Sequence, residues 1–202
     1  MFDTNNLLIS DTNHTSKNVA LANPQVFSFF KAPVKNTIPS KEITILETYQ
    51  LIKSNRYQRQ TEILRQIIDI KKARSYKATN FDYVTFSGTF TSRRNDGLIK
   101  HSGLITIDFD HLADVKELKT ALLADKQFST DLLFRSPGGF GLKWIVTIDL
   151  DEYTHLQYFS GIEKYIKKAY DLSIDSSGKD LARACFLPYD SEVYINPKYI
   201  QA

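Results

Sequence analysis

Gly103-Leu104-Ile105-Thr106-Ile107-Asp108-Phe109-Asp110-His111 is the stretch from which the fold is read. Apolar and polar residues alternate along it, and alternation places successive side chains on opposite faces of a strand. Ile105, Ile107 and Phe109 therefore form a core-facing row, while Thr106, Asp108 and Asp110 share the other face. Carboxylates on one face, with Cα atoms about 6–7 Å apart by the strand rise, repel unless a cation lies between them. A hard divalent ion with oxygen ligands, Mg²⁺ or Mn²⁺, suits that arrangement. The same residues also read as two exposed acids where a strand passes into a helix, with Asp110 as N-cap.

Downstream, the spacing predicts a helix over 112–124, with Leu112, Val115, Leu118 and Leu122 inward. A hairpin follows: Leu132-Leu133-Phe134, a turn at Ser136-Pro137-Gly138-Gly139-Phe140-Gly141, and a strand from Leu142 to Ile148. A helix over 153–170 buries Leu156, Phe159, Ile162, Ile166 and Ala169, and a short strand lies around Ala184 to Leu187. Upstream, Val26 to Phe30 is strand-like, and Thr44-Ile45-Leu46-Glu47 fits a capping box that opens a helix. A second helix is expected over 57–74 with Ile63, Leu64, Ile67 and Ile68 as its stripe, then a β-rich run from Tyr83 to Phe90 and a turn at Asn95-Asp96-Gly97. Helices and hairpins mix without regular βαβ alternation, so the fold class is α+β.

The chain has 202 residues, 42% hydrophobic and 24% charged, which excludes collagen, coiled coil and wholesale disorder. Residues 3 to 18, polar apart from Leu7, Leu8 and Ile9, read as a loose or partner-docked end. Residues 1–40 are taken as an N-terminal extension and 41–202 as one domain, with a basic helical segment over 41–78 and a core over 79–202. No run approaches 18 apolar residues, Met1 to Asn6 lack a secretory pattern, and the lone Cys185 forms no internal disulfide, so a cytoplasmic protein without a membrane partner is expected. Net charge is +3, yet residues 53 to 100 hold eleven Lys or Arg against four acids. That segregated positive field fits a polyanion footprint as well as a solvated helix face.

Three glycines in the four positions 138–141 permit close backbone approach and an anion nest, with Lys143 beyond them able to meet a phosphate. The same residues also suffice for a plain hairpin turn. Neither the spacing nor a following helix makes this a Walker A loop. Asp171 to Arg183 lacks EF-hand spacing, but Asp175 offers a third oxygen ligand, and Lys179 and Arg183 offer anion contacts. Cys185 reads as a small buried hydrophobe, and four scattered histidines with one cysteine support no zinc cluster.

In order, an acid pair on a strand, a Gly-rich turn with a cation 33 residues after Asp110, and an acid 32 residues after Lys143 resemble the three motifs of the archaeo-eukaryotic primase, or primase-polymerase, superfamily. More narrowly, Val84 to Phe90, His101 to Leu104, Ile107 to Leu112, Gly141-Leu142-Lys143, Ala182-Arg183, Pro188-Tyr189-Asp190 and Tyr194 to Pro197 resemble the VirE-type N-terminal domain of Bacteroidetes mobile elements. The likeness covers roughly residues 40 to 200. It implies an RRM-like core of mixed or antiparallel sheet flanked by helices, and a template-directed nucleotidyltransferase in replication of a mobile element.

On that resemblance Asp108, Asp110 and Asp175 are the catalytic acids and ligands for Mg²⁺ or Mn²⁺. Ser136, Gly139, Gly141, Lys143, Lys179 and Arg183 bind the nucleotide, Lys143 standing where the family's second motif usually carries histidine. Arg65, Lys71, Lys72, Arg74, Arg93 and Arg94 are expected to bind nucleic acid. The implied partners are single-stranded DNA or primer-template, nucleoside triphosphates, and a helicase in the same or another chain. Replacing Asp108 or Asp110 by alanine is expected to abolish incorporation and leave folding intact. Alternatives are a catalytically silent single-strand-binding module of a replication initiator and a metal-dependent nuclease on the same carboxylates.

Overall fold

The structure, a computed structural model, describes residues 25–201. Its strands are β1 (Val26–Phe30), β2 (Lys41–Thr44), β3 (Tyr83–Thr85), β4 (Gly88–Phe90), β5 (Leu98–His101), β6 (Leu104–Phe109), β7 (Thr130–Arg135), β8 (Leu142–Thr147), β9 (Cys185–Phe186) and β10 (Tyr194–Ile195). The helices are α1 (Ile45–Lys53), α2 (Gln58–Gln66), α3 (Ile70–Asn80), α4 (Val115–Leu123) and α5 (His155–Tyr170). The fold class is α+β.

The strand read first from the sequence organises the molecule. β6 edges a sheet of order β10-β7-β8-β6, antiparallel throughout. Ile105, Ile107 and Phe109 pack with Leu118 and Leu122 of α4 and Phe159, Ile162 and Ile166 of α5. Each fully buried side chain of this kind contributes roughly 1.5–3 kcal/mol. On the reverse face Leu104, Leu132, Phe134 and Ile145 join Phe27, Phe29, Ile43, Ile45 and Ile52 in a second core, beneath α1 and a sheet of order β2-β1-β3-β9. Thr106 and Asp108 belong by alternation to this second face. The connectivity β6-α4-β7-β8-α5, with β8 between β6 and β7, is that of a split βαβ unit. After α5 the chain returns beside β6, where the Asp175 amide donates to the Asp108 carbonyl at 2.9 Å.

Several expectations need correction. β1, assigned to an N-terminal extension, is an interior strand of the second sheet, because Phe27, Phe29 and Phe30 need burial and all are at most 2% exposed. Residues 3 to 18 lie outside the described residues. The helix expected over 57–74 is two helices. Asp69 caps α3 by accepting from the Lys72 amide at 2.7 Å, and of the presumed stripe only Leu64 is buried, Ile68 being 97% exposed. The run from Tyr83 to Phe90 is split at Phe86-Ser87 into β3 and β4, which serve different sheets. In α5, Leu156 and Ala169 face solvent. The Thr44–Glu47 capping box is present at α1, and a second one, Thr154 with Gln157, opens α5.

Candidate functional site

Where β6 leaves the sheet, alternation carries Asp108 and Asp110 to one side, and His111 at φ 55 turns the chain away. α4 is capped by Asp114, whose Oδ1 accepts from the amides of Lys116 and Glu117 at 2.8 and 3.0 Å. That removes the structural reading of Asp110, which is exposed and has no carboxylate partner cation within 4.0 Å among the described residues. Asp175 caps a short 3₁₀ turn: Oδ1 accepts from the Ser177 amide at 2.9 Å and Oδ2 from Arg183 Nη2 at 2.8 Å. One carboxylate oxygen from each of Asp108, Asp110 and Asp175 lies within 4.8 Å of the others. Two segments distant in sequence, the end of β6 and the turn after α5, thus supply three acids to one point.

Cations surround them. Asp108 and Lys143 are direct cross-strand partners of β6 and β8, and Lys143 Nζ pairs with Asp108 Oδ2. Arg183 Nη2 lies 3.8 Å from that same oxygen. Lys143, expected to meet a phosphate, instead meets a carboxylate here, because register puts the two side chains opposite each other on one face. Burial pushes the Lys143 ammonium down to about 8, with the Arg183 and Lys77 charges acting in the same direction. Burial works against ionising Asp175, but the Ser177 hydrogen bonds and the Arg183 and Lys143 charges hold its carboxyl below the ordinary value.

The donor set fits a hard divalent cation. Asp108 Oδ1 is buried with no hydrogen-bond partner among the described residues, an orphaned anionic oxygen that costs free energy unless something electropositive reaches it. Oxygen-only ligands suit Mg²⁺ or Mn²⁺. Two of the three acids are offset by Lys143 and Arg183; Asp110 keeps an unpaired charge at the mouth.

Asp108 and Asp110 open into a cleft of about 520 Å³ lined also by Arg74, Lys77, Arg93, Ser136 and Arg183, within the range of small-molecule sites. The remaining expected residues are distributed differently. The Gly139 amide is already donated to the Ser136 carbonyl at 2.9 Å, leaving no free N–H for an anion. Gly141 is needed where a Cβ would sit 2.1 Å from the Phe109 carbonyl oxygen, so its close approach is to β6. Lys179 is exposed and does not line the cleft. Arg65 lies across the β7–β8 turn, with Nε donating to the Pro137 carbonyl at 3.3 Å; Lys71 and Lys72 are exposed on α3; Arg94 pairs with Asp96 at 3.2 Å. Arg93 is tied to Tyr83, its Nε donating to the phenol at 3.1 Å. Lys77 and Phe140 belong to the cleft and escaped the sequence reading of the site. The signal for Lys77 was its place three residues after Arg74, on one helix face.

Behind the Asp175 turn stand two imidazoles. The Gly103 amide donates to His101 Nδ1 at 3.0 Å, His101 Nε2 lies 3.1 Å from His155 Nδ1, and His155 Nε2 lies 3.2 Å from the Gly178 carbonyl. One proton on each Nε2 satisfies the whole chain with both rings neutral. Burial, then the His155 charge, pushes His101 down to about 4. The unfolded chain therefore binds more protons between that value and the ordinary one near 6.5, and stability falls as pH falls through this window. The melting temperature is expected to drop from pH 7 to 4, and His101→Gln to flatten that drop; an unchanged pH profile in the variant would exclude the pair as its cause.

Residues 76–195 match the family described as BT4734-like, N-terminal domain, a span that contains Asp108, Asp110, Lys143, Asp175 and Arg183. No curated protein and no solved structure matches the chain. No helix among the described residues is long and apolar enough to cross a membrane. The match covers more than half of the chain, which belongs to this family.

Proposed function

We propose that this BT4734-like protein is a template-directed nucleotidyltransferase of the primase and DNA-polymerase kind, working with Mg²⁺ or Mn²⁺ in replication of a mobile element. The observation that carries the reading is the convergence of Asp108, Asp110 and Asp175 within 4.8 Å, the first two lining a cleft that also holds several cations. The split βαβ connectivity supports it as an RRM-like arrangement. Asp108, Asp110 and Asp175 would hold the metal, which when bound supplies a more acidic attacking hydroxyl and neutralises charge on the leaving pyrophosphate. Arg74, Lys77 and Arg183 line the space where a triphosphate would place its negative charge, and Ser136 adds a hydroxyl there. Nucleoside triphosphates, single-stranded or primed template, a helicase in the same or another chain and a cytoplasmic setting belong to this proposal.

The Lys143 and Arg183 contacts on Asp108 Oδ2 favour a second reading, a silent strand-binding module in which the two side chains take the place of a metal. One assay separates the two. Purified protein is given single-stranded template with and without primer, each nucleotide class, and Mg²⁺ or Mn²⁺. Extension is expected. Strand binding without extension supports the silent module, and shortening of the labelled strand points to a nuclease.

A further inference from the structure

Phe140 is 69% exposed, and it lines three clefts at once. The turn that presents it is held firmly. The Ser136 amide donates to the Gly141 carbonyl at 2.8 Å, and the Phe140 carbonyl accepts from the Leu112 amide at 2.9 Å. Two guanidinium groups clasp the same turn, Arg65 Nε on the Pro137 carbonyl at 3.3 Å and Arg135 Nε on the Gly139 carbonyl at 2.6 Å. An apolar ring is thus kept in water by a hydrogen-bonded scaffold.

Cations outnumber acids in the clefts on either side of the ring. On one side lies the acid cleft with Arg74 and Lys77. On the other lies a cleft of about 590 Å³ that includes Arg65, Lys116 and Arg135 alongside Asp114, Asp190 and Glu192. Between them an apolar groove of about 240 Å³ runs along the α2–α3 junction, where Ile68 and Ile70 are 97% and 67% exposed. Among the described residues none of Arg65, Arg74, Lys77, Lys116 and Arg135 has a carboxylate within 4.0 Å. Unpaired cations on both sides of an exposed aromatic ring complement a polyanion that carries planar apolar faces, which is the chemistry of an unpaired nucleic-acid strand.

We propose that Phe140 is a stacking platform over which a single nucleic-acid strand crosses the β7–β8 turn into the acid cleft. Arg65 and Arg135 take its phosphates on one side of the ring, and Arg74 and Lys77 take them on the other. The proposal builds on the nucleotidyl-transfer reading and names how its template is held. Every base offers a π-face, so the platform is indifferent to sequence, whereas a duplex hides those faces in its own stack.

The test is fluorescence anisotropy of a short labelled oligothymidylate, its RNA counterpart and a blunt DNA duplex, all in EDTA so that no turnover is needed. Phe140→Ala is expected to weaken single-strand binding about tenfold with an unchanged melting temperature and an unchanged salt slope, since the ring is exposed and uncharged. Phe140→Trp is expected to restore binding and to add an emission that bound strand quenches, a signal the buried Trp144 of the parent protein does not supply. Arg65→Gln with Arg135→Gln is expected to flatten the salt slope instead. Absence of single-strand binding by the parent protein, parental affinity in Phe140→Ala, or an equal loss for the duplex overturns the proposal. Failure of the parent protein to extend a template, with the Phe140→Ala loss intact, sinks the nucleotidyl-transfer reading and leaves the platform standing.

Discussion

Asp110→Ala is expected to lose on the order of a hundred- to a thousandfold in metal-dependent nucleotide incorporation while melting at the parental temperature. Asp110 is exposed, caps no helix and has no partner cation within 4.0 Å among the described residues, so its removal leaves nothing buried unsatisfied. Asp108→Ala is expected to behave differently. Asp108 is 4% exposed and pairs with Lys143, whose side chain is itself 13% exposed. Deleting the carboxylate strands a buried ammonium beside Arg183, and removing one partner of such a pair costs about 3–5 kcal/mol. Asp108→Ala is therefore expected to lose stability, where the sequence alone leads one to expect intact folding. Asp108→Asn, which keeps the volume and an acceptor oxygen, is expected to recover part of the stability and none of the turnover. Urea denaturation alongside the incorporation assay checks all three; full activity in Asp110→Ala would remove the triad from the mechanism.

Gly141→Ala is the second substitution expected to have a large effect. The added Cβ would lie 2.1 Å from the Phe109 carbonyl oxygen and 3.2 Å from Ser136 Oγ. The first of these neighbours is backbone, at the end of the strand that carries Asp108 and Asp110. Either β8 or the end of β6 must shift, at a cost of about 3 kcal/mol by analogy with overpacked cores, and the carboxylates move with β6. Both stability and incorporation are therefore expected to fall. Gly138→Ala serves as the control, because a Cβ there meets nothing within 4 Å. Equal denaturation midpoints for the two variants would show that the close approach carries no strain.

Much of this architecture was legible locally. The alternation in β6 picked out the core-facing row of Ile105, Ile107 and Phe109, the Thr44–Glu47 box marked the start of α1, and a Gly-rich turn flanked by apolar runs marked the β7–β8 hairpin. Such signals arise from residues within a few positions of one another, where backbone geometry leaves few choices. The errors also have local causes. A continuous helical pattern over 57–74 hid the competing cap at Asp69, and an apolar stripe there was taken as core although Ile63 and Ile68 face water. Gly139 and Gly141 were expected to cradle a ligand. Instead Gly139 closes its own turn and Gly141 makes room for β6, uses that only the neighbouring elements reveal.

By itself the sequence determined which face of β6 the candidate acids occupy, because strand periodicity is a property of the chain alone. It did not determine what those acids face. That β8 lies against β6 in the register opposing Lys143 to Asp108, and that the segment after α5 returns beside β6 to bring Asp175 and Arg183 to the same point, are outcomes of long-range pairing. The physical reason is that side-chain direction follows from the dihedrals of the chain itself. The partner across the sheet is chosen instead by burying the apolar faces of β6, β8, α4 and α5 together, a choice made by the whole core.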